Sequence, residues 1–164
     1  ISPTFKGEKT MKLNPDCVRK ILFYIEKEAD YNTDGGFPIH NEIRFGELVE
    51  DEYFKKYLKS EVLYALEILL REHFIECSDG PTFYAGNIKN ATIIGLSYSG
   101  HELLDNIRND TVWTVVKEKA LTAGGFSLKS LVTTAGSLSV AFMTNPNALS
   151  TFKSGIEYLR SLFS

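Results

Sequence analysis

The sequence predicts an α+β protein, mainly helical, and three observations lead there. Apolar residues recur at helical spacing through most segments that lack Gly and Pro. The β-branched and aromatic runs that suit strands are short and fall in the first two thirds of the chain. At 164 residues, 43% hydrophobic and 24% charged, the chain holds enough apolar material for one core and has none of the bias of disordered or fibrous sequences.

The elements follow in order. Residues 1–10, ahead of Met11, lack the apolar segment of a secretory peptide and read as an upstream tail or a cloning remnant, with Met11 as the expected native start. Asn14 suits a helix cap and Pro15 the first helical position, and Val18, Ile21, Leu22 and Ile25 form one apolar face, which predicts a helix ending near Ala29. Asp30 to His40 contains Gly35-Gly36 and Pro38 and reads as a loop. Ile43 and Phe45 alternate with polar neighbours as in a short strand, and Gly46 to Leu58 reads as a weak, charged helix. Ser60 is expected to cap a stronger helix with Val62, Leu63, Leu66, Leu69 and Leu70 on its apolar stripe. His73 to Cys77 and Ala91 to Tyr98 read as two strands of a hairpin with a long polar tip.

Ser99 and Glu102 have capping-box spacing and open a helix through Leu103, Leu104 and Ile107. Asp110 is expected to cap the next, which carries Val112, Trp113, Val115 and Val116 and closes at Gly124-Gly125. Composition then shifts. Ser127 to Met143 is small, hydroxylated and apolar, Asn145-Pro146-Asn147 breaks it, and Ala148 to Phe163 is amphipathic through Leu149, Phe152, Ile156, Leu159 and Leu162. The predicted organisation is therefore a tail (1–10), a domain (11–123) and a C-terminal helical extension (124–164). Helix, strand, two helices, hairpin and helix is the order of a winged helix-turn-helix, against the alternative of a generic α+β domain with different packing.

Several polar identities carry a resemblance. Met11-Lys12-Leu13-Asn14-Pro15-Asp16-Cys17-Val18-Arg19, the segment Val62-Leu63-Tyr64, and Gly100-His101-Glu102-Leu103-Leu104-Asp105-Asn106-Ile107-Arg108 with Trp113 and Lys117 resemble a family of small proteins common in phages and prophages and catalogued only as a domain of unknown function. The resemblance covers Met11 to about Lys119. It implies a winged-helix fold and a mobile-element setting, and it implies no activity.

Few residues point to chemistry. His101, Asp105 and Arg108 share a helix face, an arrangement a carboxylate-oriented base would need, but no nucleophile beyond helix-starting hydroxyls lies nearby. His101, Glu102, Asp105, Arg108 and Trp113 are therefore read as a structural motif pinning this helix to the wing. His73 and Cys77 supply two soft ligands where structural zinc wants four, so neither metal nor cofactor is expected. Neither Gly-Gly pair has the residues of a phosphate loop. The two cysteines, Cys17 and Cys77, suit a reducing cytoplasm. The stretch Phe126 to Met143 carries Lys129 and many hydroxyls, so no membrane segment is predicted.

Two binding functions compete. A groove-reading winged helix needs a basic third helix, yet Ser60 to Glu72 holds Glu61, Glu67 and Glu72 against Arg71 alone, and the whole chain carries a net −3. Lys55, Lys56 and Lys59, with Asn87, Lys89 and Asn90 on the wing, are the candidate contacts to nucleic acid or to a partner. The favoured expectation is a non-enzymatic interaction module that binds a protein partner or itself through residues 126–163, with a DNA-binding regulator as the alternative.

Overall fold

The computed structural model describes residues 11–122 and 126–145, and beyond them 147, 148, 150, 151, 154 and 157. Helix α1 (Pro15–Glu28) starts where predicted, because the Asn14 side chain accepts the Cys17 N–H at 3.2 Å. Its buried face is Cys17, Val18, Ile21, Leu22 and Ile25. The predicted loop after it closes on itself: β1 (Tyr31–Asn32) pairs antiparallel with β2 (Ile39–His40), and Tyr31 sits against the His40 ring at 4.3 Å.

β3 (Ile43–Arg44) leads into α2 (Phe45–Glu50). The predicted helix over 46–58 is interrupted because Asp51 is extended and its carboxylate accepts the Tyr53 N–H at 2.7 Å, starting a separate 3-10 turn over Glu52–Phe54. Helix α3 (Lys59–Arg71) begins one residue before the predicted cap. Leu58 takes the cap position, and its N–H donates to the Glu61 carboxylate at 2.9 Å, a job Ser60 cannot do from inside the first turn. The helix ends in a Schellman arrangement: His73 is left-handed (φ 59) and the Phe74 N–H donates back to the Leu69 carbonyl at 2.9 Å. His73 therefore precedes the strand it was expected to open, and it does not share a pleated face with Cys77.

β4 (Ile75–Cys77), β5 (Thr82–Tyr84), β6 (Asn87–Asn90) and β7 (Thr92–Leu96) follow. One antiparallel sheet has the order β3-β7-β4, while β5 and β6 form their own ribbon at what was predicted to be a polar tip. A two-residue turn, Ala85-Gly86 with φ 49 and 81, joins that ribbon, the mirror-image turn that matches strand twist. Helix α4 (Tyr98–Ile107) is capped by Ser97, whose hydroxyl accepts the Gly100 N–H at 3.1 Å, so the cap lies two residues before the predicted Ser99. Helix α5 (Asp110–Thr122) is capped by Asn109, one residue before the predicted Asp110, and its closing Gly124-Gly125 lies outside the described residues.

Helix α6 (Leu128–Thr144) starts at Ser127, which exchanges hydrogen bonds with Ser130. Its Leu128, Leu131, Ala135 and Leu138 fall on one stripe and join the same buried cluster as α1, α3, the sheet, α4 and α5. The first helix of the predicted extension thus packs on α4 and α5 as part of the core. Most of the predicted helix over 148–163 lies outside the described residues.

Candidate functional site

The two motif blocks meet where α1 crosses α4 and α5. Asp16, in the first turn of α1, accepts from the indole Nε1 of buried Trp113 at 2.7 Å and from Lys117 Nζ at 2.9 and 3.1 Å. Burial raises its pKa, but these two donors and the Lys117 charge outweigh that and hold the carboxyl below its ordinary value. One turn on, Arg19 donates through Nε to the Ile107 carbonyl at 2.9 Å, and through Nη2 to the Arg108 carbonyl at 2.6 Å and Asp110 Oδ1 at 2.8 Å. Its guanidinium lies 5.1 Å from the Phe23 ring and 5.5 Å from that of Trp113. Arg19 so satisfies carbonyls that α4 leaves unpaired at its end and ties them to the start of α5.

Arg108 completes the junction. It grips Glu26 in a bidentate pair at 2.6 and 2.9 Å and also reaches Asp105 at 3.0 Å. The Arg108 contact holds the Glu26 carboxyl below its ordinary value. The predicted role of this motif is therefore corrected in one respect: it pins α4 to α1, and the wing takes no part. His101 and Glu102 are exposed, and the Asp105 carboxylate expected to orient His101 instead accepts a single N–H from Arg108 at i+3. Spacing had placed His101, Asp105 and Arg108 on one face, but it contained no sign of Glu26, 82 residues from Arg108. The signal available was the pairing of polar blocks at the two ends of the chain's first 117 residues.

The candidate contact residues do not form one basic surface. Lys59 is held by Glu50 at 2.6 Å, and Lys56 lies over the Tyr57 ring at 4.8 Å. Lys55 and Lys89 are exposed. Asn87 donates its amide to the Ala85 carbonyl at 3.3 Å, and the Asn90 carbonyl accepts from the Thr82 hydroxyl at 3.3 Å, so both serve the ribbon's own geometry. Arg71, the basic residue at the end of α3, donates to Glu67 at 2.8 Å and to the Gly86 carbonyl at 2.5 Å and lies 4.4 Å from the Phe83 ring. It clamps the β5–β6 ribbon to α3. What this face offers outward is apolar: Leu58 and Leu63 near the start of α3, and Phe83 and Tyr84 on the ribbon, with Tyr84 76% exposed. Leu63 escaped sequence reading because its helical spacing assigns it to the apolar stripe, and Phe83 and Tyr84 because they lie in a stretch read as a polar tip.

Burial pushes the Cys17 thiol up to about 12, so it is inert at neutral pH. No helix among the described residues is long and apolar enough to cross a membrane.

The fold and these junctions define a small α+β domain in which an N-terminal helix is locked to a later helical corner by half-buried and exposed polar pairs. Comparison places it further: the model of the family described as "Hypothetical protein (DUF2513)" matches residues 12–127, and the chain belongs to that family. The chain is also 30% identical over 130 residues to an "Uncharacterized protein" of Haemophilus influenzae (strain ATCC 51907 / DSM 11121 / KW20 / Rd), a match covering 76% of this chain and 94% of that protein. No solved structure matches it. The matched range takes in Asp16, Arg19, Glu26, Asp105, Ile107, Arg108, Asp110, Trp113 and Lys117, the residues that make the junction.

Proposed function

We propose that this is a non-enzymatic winged-helix interaction module of phage or prophage type, acting in the cytoplasm by docking a protein chain on the outer face of α3 and the β5–β6 wing. A sheet of order β3-β7-β4 with α2 and α3 between its first two strands in sequence is the winged-helix order, which supports the fold part of this reading. The observation that carries the function is the character of the α3–wing face: Leu63, Phe83 and Tyr84 are exposed while Arg71 and Lys59 are each paired to a glutamate. Apolar side chains framed by neutralised charges suit a protein interface, where aromatic anchors supply most of the energy. A duplex-binding regulator is the second reading, supported by the same element order and by exposed Lys55 and Lys89. It has less support, because phosphates meeting Glu61 and Glu67 on α3 are repelled.

A photoreactive amino acid at Leu63 or at Tyr84, irradiated in cells that naturally produce the protein, tests this. The expected adducts are protein-sized and nuclease-resistant, with none from a control at exposed Asp30. Nuclease-sensitive adducts, or submicromolar binding to random duplex at physiological salt, put the regulator first.

A further inference from the structure

A cleft of about 690 Å³ lies between the end of α3, strands β4 and β7, and the β5–β6 ribbon. Leu70, Ile75, Phe83 and Ile94 give it an apolar lining, with Arg71 and Glu76 among its polar groups. We propose, resting on the α3–wing reading above, that this cleft is the anchor pocket of that face and takes a basic and apolar segment of the protein partner. One large apolar side chain seats against Leu70, Ile75 and Phe83, and flanking Lys or Arg side chains face Glu76 and Asp79.

Size and charge select this occupant. The volume falls within the range of about 300–1,000 Å³ typical of clefts that bury compact apolar groups. Leu70 and Ile75 are buried, but Phe83 is 41% exposed, so an entering apolar side chain covers a ring that the fold leaves in water. Arg71 is a positioning residue here: its guanidinium lies 4.4 Å from the Phe83 ring and donates to Glu67 and to the Gly86 carbonyl, so its charge is balanced within the fold. Glu72, Glu76 and Asp79 are exposed and make no ion pair with any described residue. Glu76 lines the cleft, and Asp79 precedes Gly80, which lines it as well. The ribbon's own lysine, Lys89, lines a separate hollow with Tyr84 and Asn87. The uncompensated carboxylates at the cleft attract a cationic segment and repel an acidic one.

Fluorescence anisotropy of the full-length chain with three labelled pentapeptides tests this: a central Trp flanked by four Arg, a central Ser flanked by four Arg, and a central Trp flanked by four Glu. The first should bind about tenfold or more tighter than the others, and more weakly as salt rises. Glu76→Lys with Asp79→Lys should weaken it about tenfold, and the milder Glu76→Gln with Asp79→Asn by a smaller factor. Asp34→Lys with Glu52→Lys, an equal change of net charge at exposed residues outside the cleft, should leave binding within about twofold. Phe83→Ala should erase the preference for Trp over Ser. Equal binding of the two Arg peptides, unchanged binding by the charge-reversed cleft, or no saturation by any probe below about 1 mM overturns the proposal. The α3–wing reading is decided separately, by whether the adducts at Leu63 and Tyr84 are protein or nucleic acid.

Discussion

Replacing Gly100 with Ala should unfold the protein at a markedly lower temperature, and the cause is local. Gly100 lies in the first turn of α4, buried, with its own N–H on the Ser97 hydroxyl. A Cβ built there falls 2.1 Å from the Phe74 carbonyl oxygen and 3.2 Å from Leu96 Cβ. The first distance is roughly 1 Å inside ordinary contact, and the atom in the way is backbone, so no rotamer relieves it. That carbonyl cannot retreat freely either, since it accepts the Ser97 N–H at 3.1 Å. Overpacking costs about 1–3 kcal/mol and a strained or lost hydrogen bond about 1 more, while Ala gains about 1 over Gly in helix propensity. The net is about 1–3 kcal/mol of destabilisation, a fall in melting temperature of about 2–12 °C for a chain of this size. Thermal unfolding followed by circular dichroism reads it, with Gly46→Ala in α2 as the matched control, since nothing lies within 4 Å of a Cβ there. The control should be neutral or slightly stabilised. A Gly100→Ala protein as stable as the parent would refute the argument, because propensity would then have outweighed the collision.

Other outcomes follow from the same structure. At the junction, Asp16→Asn and Trp113→Phe should each destabilise, and a double-mutant cycle by denaturant titration should show coupling of about 1 kcal/mol, because the indole donates to that carboxylate. His101→Ala should stay within about 0.5 kcal/mol of the parent, while Arg108→Ala costs about 1 kcal/mol by releasing Glu26. Acid should loosen the same junction. Asp16 and Glu26 have folded pKa values below their unfolded ones, so their stabilisation is full above the ordinary carboxylate range and is lost as pH falls through the folded values, below about pH 4. Melting temperature against pH should drop there, and less steeply in the Asp16→Asn protein. Finally, His73→Gly should raise stability by about 1 kcal/mol in the same assay, since an exposed residue in the left-handed region gives up a backbone penalty and no packing.

The long helices were legible because their apolar stripes are properties of consecutive residues. Val18, Ile21, Leu22 and Ile25 must share a face whatever lies opposite, and all four are buried. Caps were less legible: Leu58, Ser97 and Asn109 start helices near better-looking candidates, because the cap is chosen by where the chain turns off the sheet or the preceding helix. The ribbon at residues 82–90 has too few apolar positions to register as strands. It is held by its Ala85-Gly86 turn and by Arg71 arriving from α3.

The motif blocks mark the same division. Their residue types and spacing, visible in the sequence, said that Asp16, Arg19, Arg108, Trp113 and Lys117 belonged to something specific. Only the tertiary structure decided that they belong to one another, and that Glu26 joins them while His101 does not. The physical reason is that periodicity encodes which side of an element a side chain occupies, a local quantity. Partners 82 to 101 residues apart are set by how α1 crosses α4 and α5, which depends on every buried side chain at once. The same holds for α6, whose leucine stripe could have served an assembly seam equally well and instead lies against α4 and α5.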